Sequence, residues 1–343
     1  GANDAFLWSP GDGSDYFNGG PGQDVVMLGL MGEINADGEL VFQVGTGYFG
    51  ARDPAGRFSI EHLQASIEGR PVRAIELKLS QGAKPGLGGM LPGSKVTPEI
   101  ARVRGIPEGE DCASPAGHAE FNSVAGLVTM VERIADATGL PVGIKAAVGQ
   151  PIFWEELAAH MADSGRGPDY IAVDGGQGGT GAAPLLFSDH VALAFRDGFV
   201  LVRDALARHG LAERVTLAGA GRLGLPHEAA VACALGVDWI YAAREPMLAV
   251  GCIQAQKCHT GHCPTGVATH TPRLTRGLDP TDKSVRLANY VDGLRYELLR
   301  LAHACGVEHP CLLTPETIAI ADGSTGPIEL LVRHPAAPGT LKA

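Results

Sequence analysis

The chain has 343 residues, 45% of them hydrophobic and 19% charged, with a formal net charge of −11. That acidic balance leaves no basic surface to neutralise a phosphate backbone, which argues against nucleic acid as a partner. No run of 18 uncharged apolar residues and no basic-then-apolar leader occurs, so the chain is expected to be soluble and cytoplasmic.

Residues 1–38 are rich in Gly and Asp and read as an irregular segment, loops with one short strand. A rhythm then sets in. Apolar, partly β-branched runs at Leu40–Val44, Ala74–Leu79, Val142–Ala147, Tyr170–Val173, Val215–Ala218 and Trp239–Tyr241 predict strands. Amphipathic stretches at Ser59–Glu68, Ser123–Thr138, Trp154–Ser164, Ser188–His209, His227–Leu235 and Lys283–Ala304 predict helices between and after them. Alternating β and α with buried-type strands means a parallel sheet. Six such units, with polar residues just after strand ends, predict an α/β barrel; a doubly wound open sheet is the alternative. Between the second and third runs, residues 82–117 show no period, and a loop of that length is more often functional than idle.

Several strand ends carry residues with chemistry. Lys78-Leu-Ser-Gln-Gly-Ala-Lys84 offers two amines and an amide among glycines, suited to a dicarboxylate or a flavin edge. Arg102 and Arg104 follow and can clamp a carboxylate bidentately, although solvated charges fit equally well. His118 reads as a structural histidine. Lys145 lies inside an apolar run, where an unpaired ammonium is costly, so a functional partner is expected. Asp174-Gly-Gly-Gln-Gly-Gly-Thr-Gly-Ala182 is too glycine-dense for packing alone. The turn Gly219-Ala-Gly-Arg-Leu-Gly224 precedes a helix and presents bare N–H groups to an anion, with Arg222 and Arg244 adding charge; a plain tight turn is the other reading. Cys252, Cys258 and Cys263 are spaced C-x5-C-x4-C. Three convergent thiolates suit a [3Fe–4S] cluster, while His259 or His262 as a fourth ligand would make a structural zinc site. Cys112, Cys233, Cys305 and Cys311 are dispersed and read as small buried hydrophobes.

Taken together these strings resemble the FMN-binding synthase domain of the glutamate synthase family, especially its stand-alone, glutamate synthase-like branch. The resemblance runs from Leu40 to Pro272. It rests on Gly45-Thr-Gly-Tyr-Phe-Gly50, Ser80-Gln-Gly-Ala-Lys-Pro-Gly86, Gly178-Gly-Thr-Gly-Ala182 and the cysteine run with its Cys-Pro-Thr-Gly-Val-Ala-Thr tail. It implies a (β/α)8 TIM barrel over 39–310 with an iron–sulfur loop at 251–270 and a tail at 311–343. The implied chemistry is FMN- and [3Fe–4S]-dependent reduction of 2-iminoglutarate, formed from 2-oxoglutarate and ammonia, to L-glutamate. By the same resemblance Gln81, Lys84 and Arg104 hold the 2-oxoglutarate. Lys78, Lys145, Gly178, Gly179 and Thr180 line the flavin, and Gly219, Gly221, Arg222, Ala242 and Ala243 bind its phosphate. Cys252, Cys258 and Cys263 ligate the cluster, and Lys84 and Asp12 are the catalytic candidates. An electron donor is implied, an NADPH-oxidising subunit or a ferredoxin, with a separate glutaminase as an ammonia source.

The sequence departs from the family at its start. The first barrel strand has no evident counterpart, so a barrel lacking that strand, or truncated before it, is expected. Ser9-Pro-Gly-Asp-Gly-Ser14 stands where the family has Asn-Thr-Gly-Glu-Gly-Gly, so Asp12 replaces a longer glutamate. Met90 occupies a position often polar in synthases. A related amine-transferring enzyme, such as an N-methylglutamate synthase subunit, and a non-catalytic barrel with a structural metal site are the competing expectations.

Overall fold

A computed structural model describes residues 39–178, 183–184, 186–269 and 271–318, together with the backbone of four short strands that come earlier. Those four are β1 (Asp4–Trp8), β2 (Tyr16–Phe17), β3 (Asp24–Leu28) and β4 (Asn35–Ala36). The strands that follow are β5 (Glu39–Val44), β6 (Val72–Lys78), β7 (Gly89–Leu91), β8 (Cys112–Ser114), β9 (Val142–Ala146), β10 (Tyr170–Asp174), β11 (Thr216–Ala220) and β12 (Trp239–Tyr241). The helices are α1 (Ile60–Ile67), α2 (Pro98–Arg104), α3 (Val124–Thr138), α4 (Pro151–Ser164), α5 (Phe195–Arg208), α6 (Pro226–Ala234), α7 (Arg244–Ala249), α8 (Pro272–Thr275) and α9 (Pro280–Ala304).

One curled sheet organises the molecule, in the order β1-β3-β5-β6-β9-β10-β11-β12, and every pairing within it is parallel. Its outer strands, β1 and β12, lie against one another, which brings the two edges together as in a TIM barrel. All six predicted strands are present, and all six predicted helices, with α5 starting later than its periodicity suggested. Ahead of β5, in the segment read as irregular with a remnant of early barrel strands, the short apolar runs at Asp4–Trp8 and Asp24–Leu28 pair in register and extend the sheet. Gly and Asp are dense around these runs, so their pairing reveals them better than their pattern does.

The helices form for ordinary local reasons. Ser59 and Ser123 cap α1 and α3 by accepting from the backbone N–H of His62 and Gly126. Pro151, Pro226 and Pro280 open α4, α6 and α9 at the first turn, where a missing N–H costs nothing. Gly139 and Gly165 end α3 and α4 in the left-handed conformation. Leu63, Leu127, Ile134, Leu157, Phe199 and Val202 bury their side chains against the outward face of the sheet, represented by Ile75, Leu77, Ile144, Ile171 and Val173. This layer is the main apolar core. Among the described residues, no helix is long and apolar enough to cross a membrane.

Inside the barrel the side chains are different. Val41, Ala172, Ala218 and Ala220 are small, and Tyr170 and Tyr241 fill the remaining space. Tyr170 crosses the interior to donate from its hydroxyl to the Ile75 carbonyl at 3.2 Å. Its ring fits only because residue 143 has no side chain: a Cβ there would stand 2.3 Å from Tyr170 Cζ. Gly143→Ala is therefore expected to destabilise the protein by about 1–3 kcal/mol, the usual cost of overpacking, read as a lower midpoint in urea unfolding.

Candidate functional site

Parallel strands share one C-terminal end, and there β6, β9, β10, β11 and β12 place their polar residues together. Lys145 is buried to 1% exposure, and its Nζ lies 3.7 Å from Oε1 of Glu76, which is 0% exposed. Glu76 also accepts from Gln43 Nε2 at 2.6 Å and from the Tyr241 hydroxyl at 3.0 Å. Burial pushes the Glu76 carboxyl up, and Lys145, Gln43 and Tyr241 pull it back only in part. Burial, reinforced by the Glu76 charge, drives the Tyr241 hydroxyl well above its ordinary range. Within the chain, the charge facing Lys145 is thus a buried carboxylate.

Lys78 stands beside Lys145 in the strand register. Its Nζ donates to Gln81 Oε1 at 3.1 Å, joining two of the predicted residues. Burial first, and then the Lys145 charge, lower its pKa to about 8. The loop after β6 is stitched across its neighbours: Ser80 Oγ accepts from Ala147 N at 2.9 Å, and Gly82 N donates to Asp174 Oδ2 at 3.0 Å. A side chain at 82 would strike the Gly175 carbonyl at 1.9 Å, so this loop and the one after β10 are in backbone contact. Lys84 follows, half-buried, with its pKa lowered by burial and its Nζ 3.5 Å from the Gly88 carbonyl.

Residues 82–117 are more ordered than their sequence suggested. β7 and β8 form an antiparallel pair, and α2 is bracketed by Thr97 as N-cap and Gly105 in the left-handed conformation. Arg104, at the end of α2, lays its guanidinium over the Phe49 ring at 4.5 Å, with Arg52 4.8 Å from the same ring. Its Nη1 lies 3.8 Å from Cys112 Sγ. Met90 is 61% exposed on β7. His118 is packed beside this segment. Its Nε2 donates to the Lys78 carbonyl at 3.0 Å, it stacks on Phe121, and its buried Nδ1 has no hydrogen-bond partner.

The glycine turns divide by purpose. Gly175 and Gly219 make room for Phe195, whose atoms a Cβ would approach to 2.7 and 2.6 Å, and Gly219 belongs to β11 rather than to the turn. Gly178 differs. A Cβ there would lie no closer than 3.6 Å to Arg222 N and 3.7 Å to Gly221 Cα, whereas a Cβ on Gly221 would meet Gly175 Cα and Phe195 Cβ at 3.3 Å. Gly221 has φ 129° and Arg222 φ 59°, both left-handed. Arg222 Nη2 lies 3.0 Å from Asp189 Oδ2, both side chains half-exposed. Ala242 is buried after β12, while Ala243 is exposed and opens α7. Gly179, Thr180 and Asp12 lie outside the described residues.

In the cysteine run, Cys263 is buried and Cys252 and Cys258 are half-buried. Burial pushes the Cys258 thiol up, and the nearby Cys252 and Cys263 add to this. Burial also works against Cys263, yet the Thr265 hydroxyl and the N–H groups of Ala268, Thr265 and Val267 hold its thiol below the ordinary value. Among the described residues, no three His, Cys, Asp or Glu side chains approach closely enough to hold a single metal ion. Lys95, from the segment before α2, donates to the Cys258 carbonyl.

A profile for the conserved region in glutamate synthase matches residues 18–308. The chain belongs to the glutamate synthase family. It is 38% identical over 303 residues to the glutamate synthase large subunit-like protein YerD of Bacillus subtilis (strain 168), covering 88% of this chain and 58% of that protein. It is 36% identical over 272 residues to the archaeal glutamate synthase (NADPH) of Methanocaldococcus jannaschii, covering 78% and 50%. This glutamate synthase-family chain thus spans little more than half the length of these relatives. Its fold is similar to that of a mutant flavocytochrome b2 with benzoylformate, with a TM-score of 0.51 at 15% identity, covering 95% of this chain and 69% of that one.

Gln43, Glu76, Asp174 and Tyr241 were not foreseen as members of the site. For Gln43 and Glu76 the signal was available, a polar residue flanked by apolar ones in Phe42-Gln-Val44 and Ile75-Glu-Leu77, as at Lys145. Lys78 yields a test of the site's desolvation. The folded protein binds this proton less tightly than the unfolded chain, so stability rises as pH climbs from about 8 toward 10.5. Lys78→Met is expected to be the more stable form at pH 7, with its advantage shrinking through that window in urea titrations at pH 7, 9 and 10.

Proposed function

We propose that this chain is the FMN-binding synthase region of a glutamate synthase-type oxidoreductase, reducing 2-iminoglutarate, made from 2-oxoglutarate and ammonia, to L-glutamate. The observation that carries the reading is the meeting of an uncrowded Gly178 backbone, next to the left-handed Gly221–Arg222 turn, with a buried Lys145 at one end of a parallel barrel. Family membership and the names of the relatives support the same activity.

The donor set fits the cofactor. Backbone at Gly178 is uncrowded and lies beside the left-handed turn at Gly221 and Arg222, whose N–H groups suit a phosphate. Ala242 and Ala243 add small residues at the neighbouring strand end. Lys145 and Lys78 would face the ring system, and FMN, when bound, supplies the hydride chemistry. Lys84 and Gln81 would orient one carboxylate of the substrate, with Arg104 held ready by Phe49 for the other. Lys84, kept easier to deprotonate by burial, is also the residue suited to moving a proton at the imine nitrogen. Asp12 is the second candidate for that role.

Cys252, Cys258 and Cys263 would hold the [3Fe–4S] cluster. Soft thiolate donors and the N–H groups turned toward Cys263 suit iron and sulfide. A partner carrying electrons from NADPH or a ferredoxin would deliver them there, and ammonia would come from solution or a glutaminase.

Anaerobic purification with reconstitution by FMN, iron and sulfide is expected to give a yellow-brown protein with one FMN per chain; colourless protein would sink the proposal. Arg222→Ala should keep its fold and lose about 10- to 100-fold in FMN affinity, the worth of one charge-assisted contact, measured by flavin fluorescence titration.

A further inference from the structure

The carboxylate beneath Lys145 has no place in the roles assigned so far. It does not touch the surface, and the rest of the barrel interior at its level is Val41, Ala172, Ala218, Ala220 and two tyrosines. An apolar residue would fill that position at lower cost than a buried ion pair. The registers fix its height: Glu76 pairs with Gln43 on one side and Gly143 on the other, so its Cα lies two residues deeper than Lys78, which pairs with Lys145. Gln43 Nε2 and the Tyr241 hydroxyl orient it from two other strands, at 2.6 and 3.0 Å. The Lys145 ammonium is also bounded by the Tyr241 ring, 5.7 Å from its centroid. Four strands therefore converge to hold one ammonium in place.

We infer that Glu76 is a positioning residue that acts through Lys145, pinning its ammonium at the floor of the site and offsetting its charge there. The inference rests on the FMN reading for its chemical consequence. A fixed ammonium beside the ring favours the reduced, more negative form of the flavin, and a carboxylate behind that ammonium tempers the preference. Removing the negative charge while keeping the shape should shift the balance further toward the reduced form.

Glu76→Gln tests this, with two readouts on the full chain. The first needs no cofactor. A buried, ion-paired ammonium gives a slowly exchanging 15N–1H cross-peak, assigned by its loss in Lys145→Met. It is expected in the wild type, lost in Glu76→Gln and kept in Tyr241→Phe. The second is the ratio of FMN dissociation constants, oxidised over reduced, which should rise about tenfold in Glu76→Gln. A cross-peak unchanged in folded Glu76→Gln overturns the inference, and so does an unchanged ratio, since a purely structural carboxylate would not move it. If Glu76→Gln fails to fold, Gln43→Ala strips one donor from the carboxylate and should shift the ratio the same way by a smaller factor; no shift there overturns the inference. A wild type that takes no FMN defeats the cofactor reading, and the cross-peak then decides the pairing by itself.

Discussion

A lysine buried to 1% exposure inside a barrel has to be matched, and that requirement organises the interior of this protein. Removing an ammonium from water costs several kcal/mol, recovered only by good geometry and further hydrogen bonds. Lys145 on β9 meets Glu76 on β6, and Glu76 is in turn satisfied by Gln43 on β5 and Tyr241 on β12. These strands are spread across the sheet order, so the network can form only when the sheet curls. Losing one partner of such a pair typically costs about 3–5 kcal/mol. The polar cluster thus ties the geometry of the site to the curvature of the fold.

The glycines illustrate a second constraint, in which packing and ligand access use the same residue type. Phe195 at the start of α5 sits where Gly175 and Gly219 leave space, which sets the depth at which α5 docks on β10 and β11. Gly221 also lies against Phe195, at 3.3 Å from a Cβ built there, whereas Gly178 does not. A glycine-rich string is therefore no simple measure of phosphate binding, because much of this one is explained by an aromatic ring.

That overlap also explains what was legible from sequence. β5, β6, β9, β10, β11 and β12 could be read because buried parallel strands are continuous apolar runs, and α3, α4 and α9 because they are long enough to show a period. β1 and β3 could not, because Gly and Asp crowd the sequence around these short runs and their strand character depends on a neighbour. α2 was hidden for a related reason: seven residues make two turns, and only Thr97, Pro98 and Gly105 mark it. In the site, Lys145 stood out because lysine in an apolar run is conspicuous. Glu76 is just as unusual in Ile75-Glu-Leu77, but an alternating pattern with charged neighbours, Arg73 and Lys78, makes it resemble an exposed edge.

The segment between β6 and α3 links the two chemical centres that the sequence suggested separately. Its first part carries Gln81 and Lys84 over β9 and β10, tied down through Ser80 and Gly82. Its middle sends Lys95 to the carbonyl of Cys258. Its end returns through β8 to His118, which holds the Lys78 carbonyl and so closes the circuit on β6. A stretch with no period can still be rigidly placed when each of its parts is anchored to a different strand end. Here each anchor joins one side chain, Ser80, Asp174, Lys95 or His118, to one backbone group. Single contacts of that kind recur at no fixed spacing, so little of this order shows in the pattern of residue types, and the side chains between the anchors are left to be chosen for what they bind.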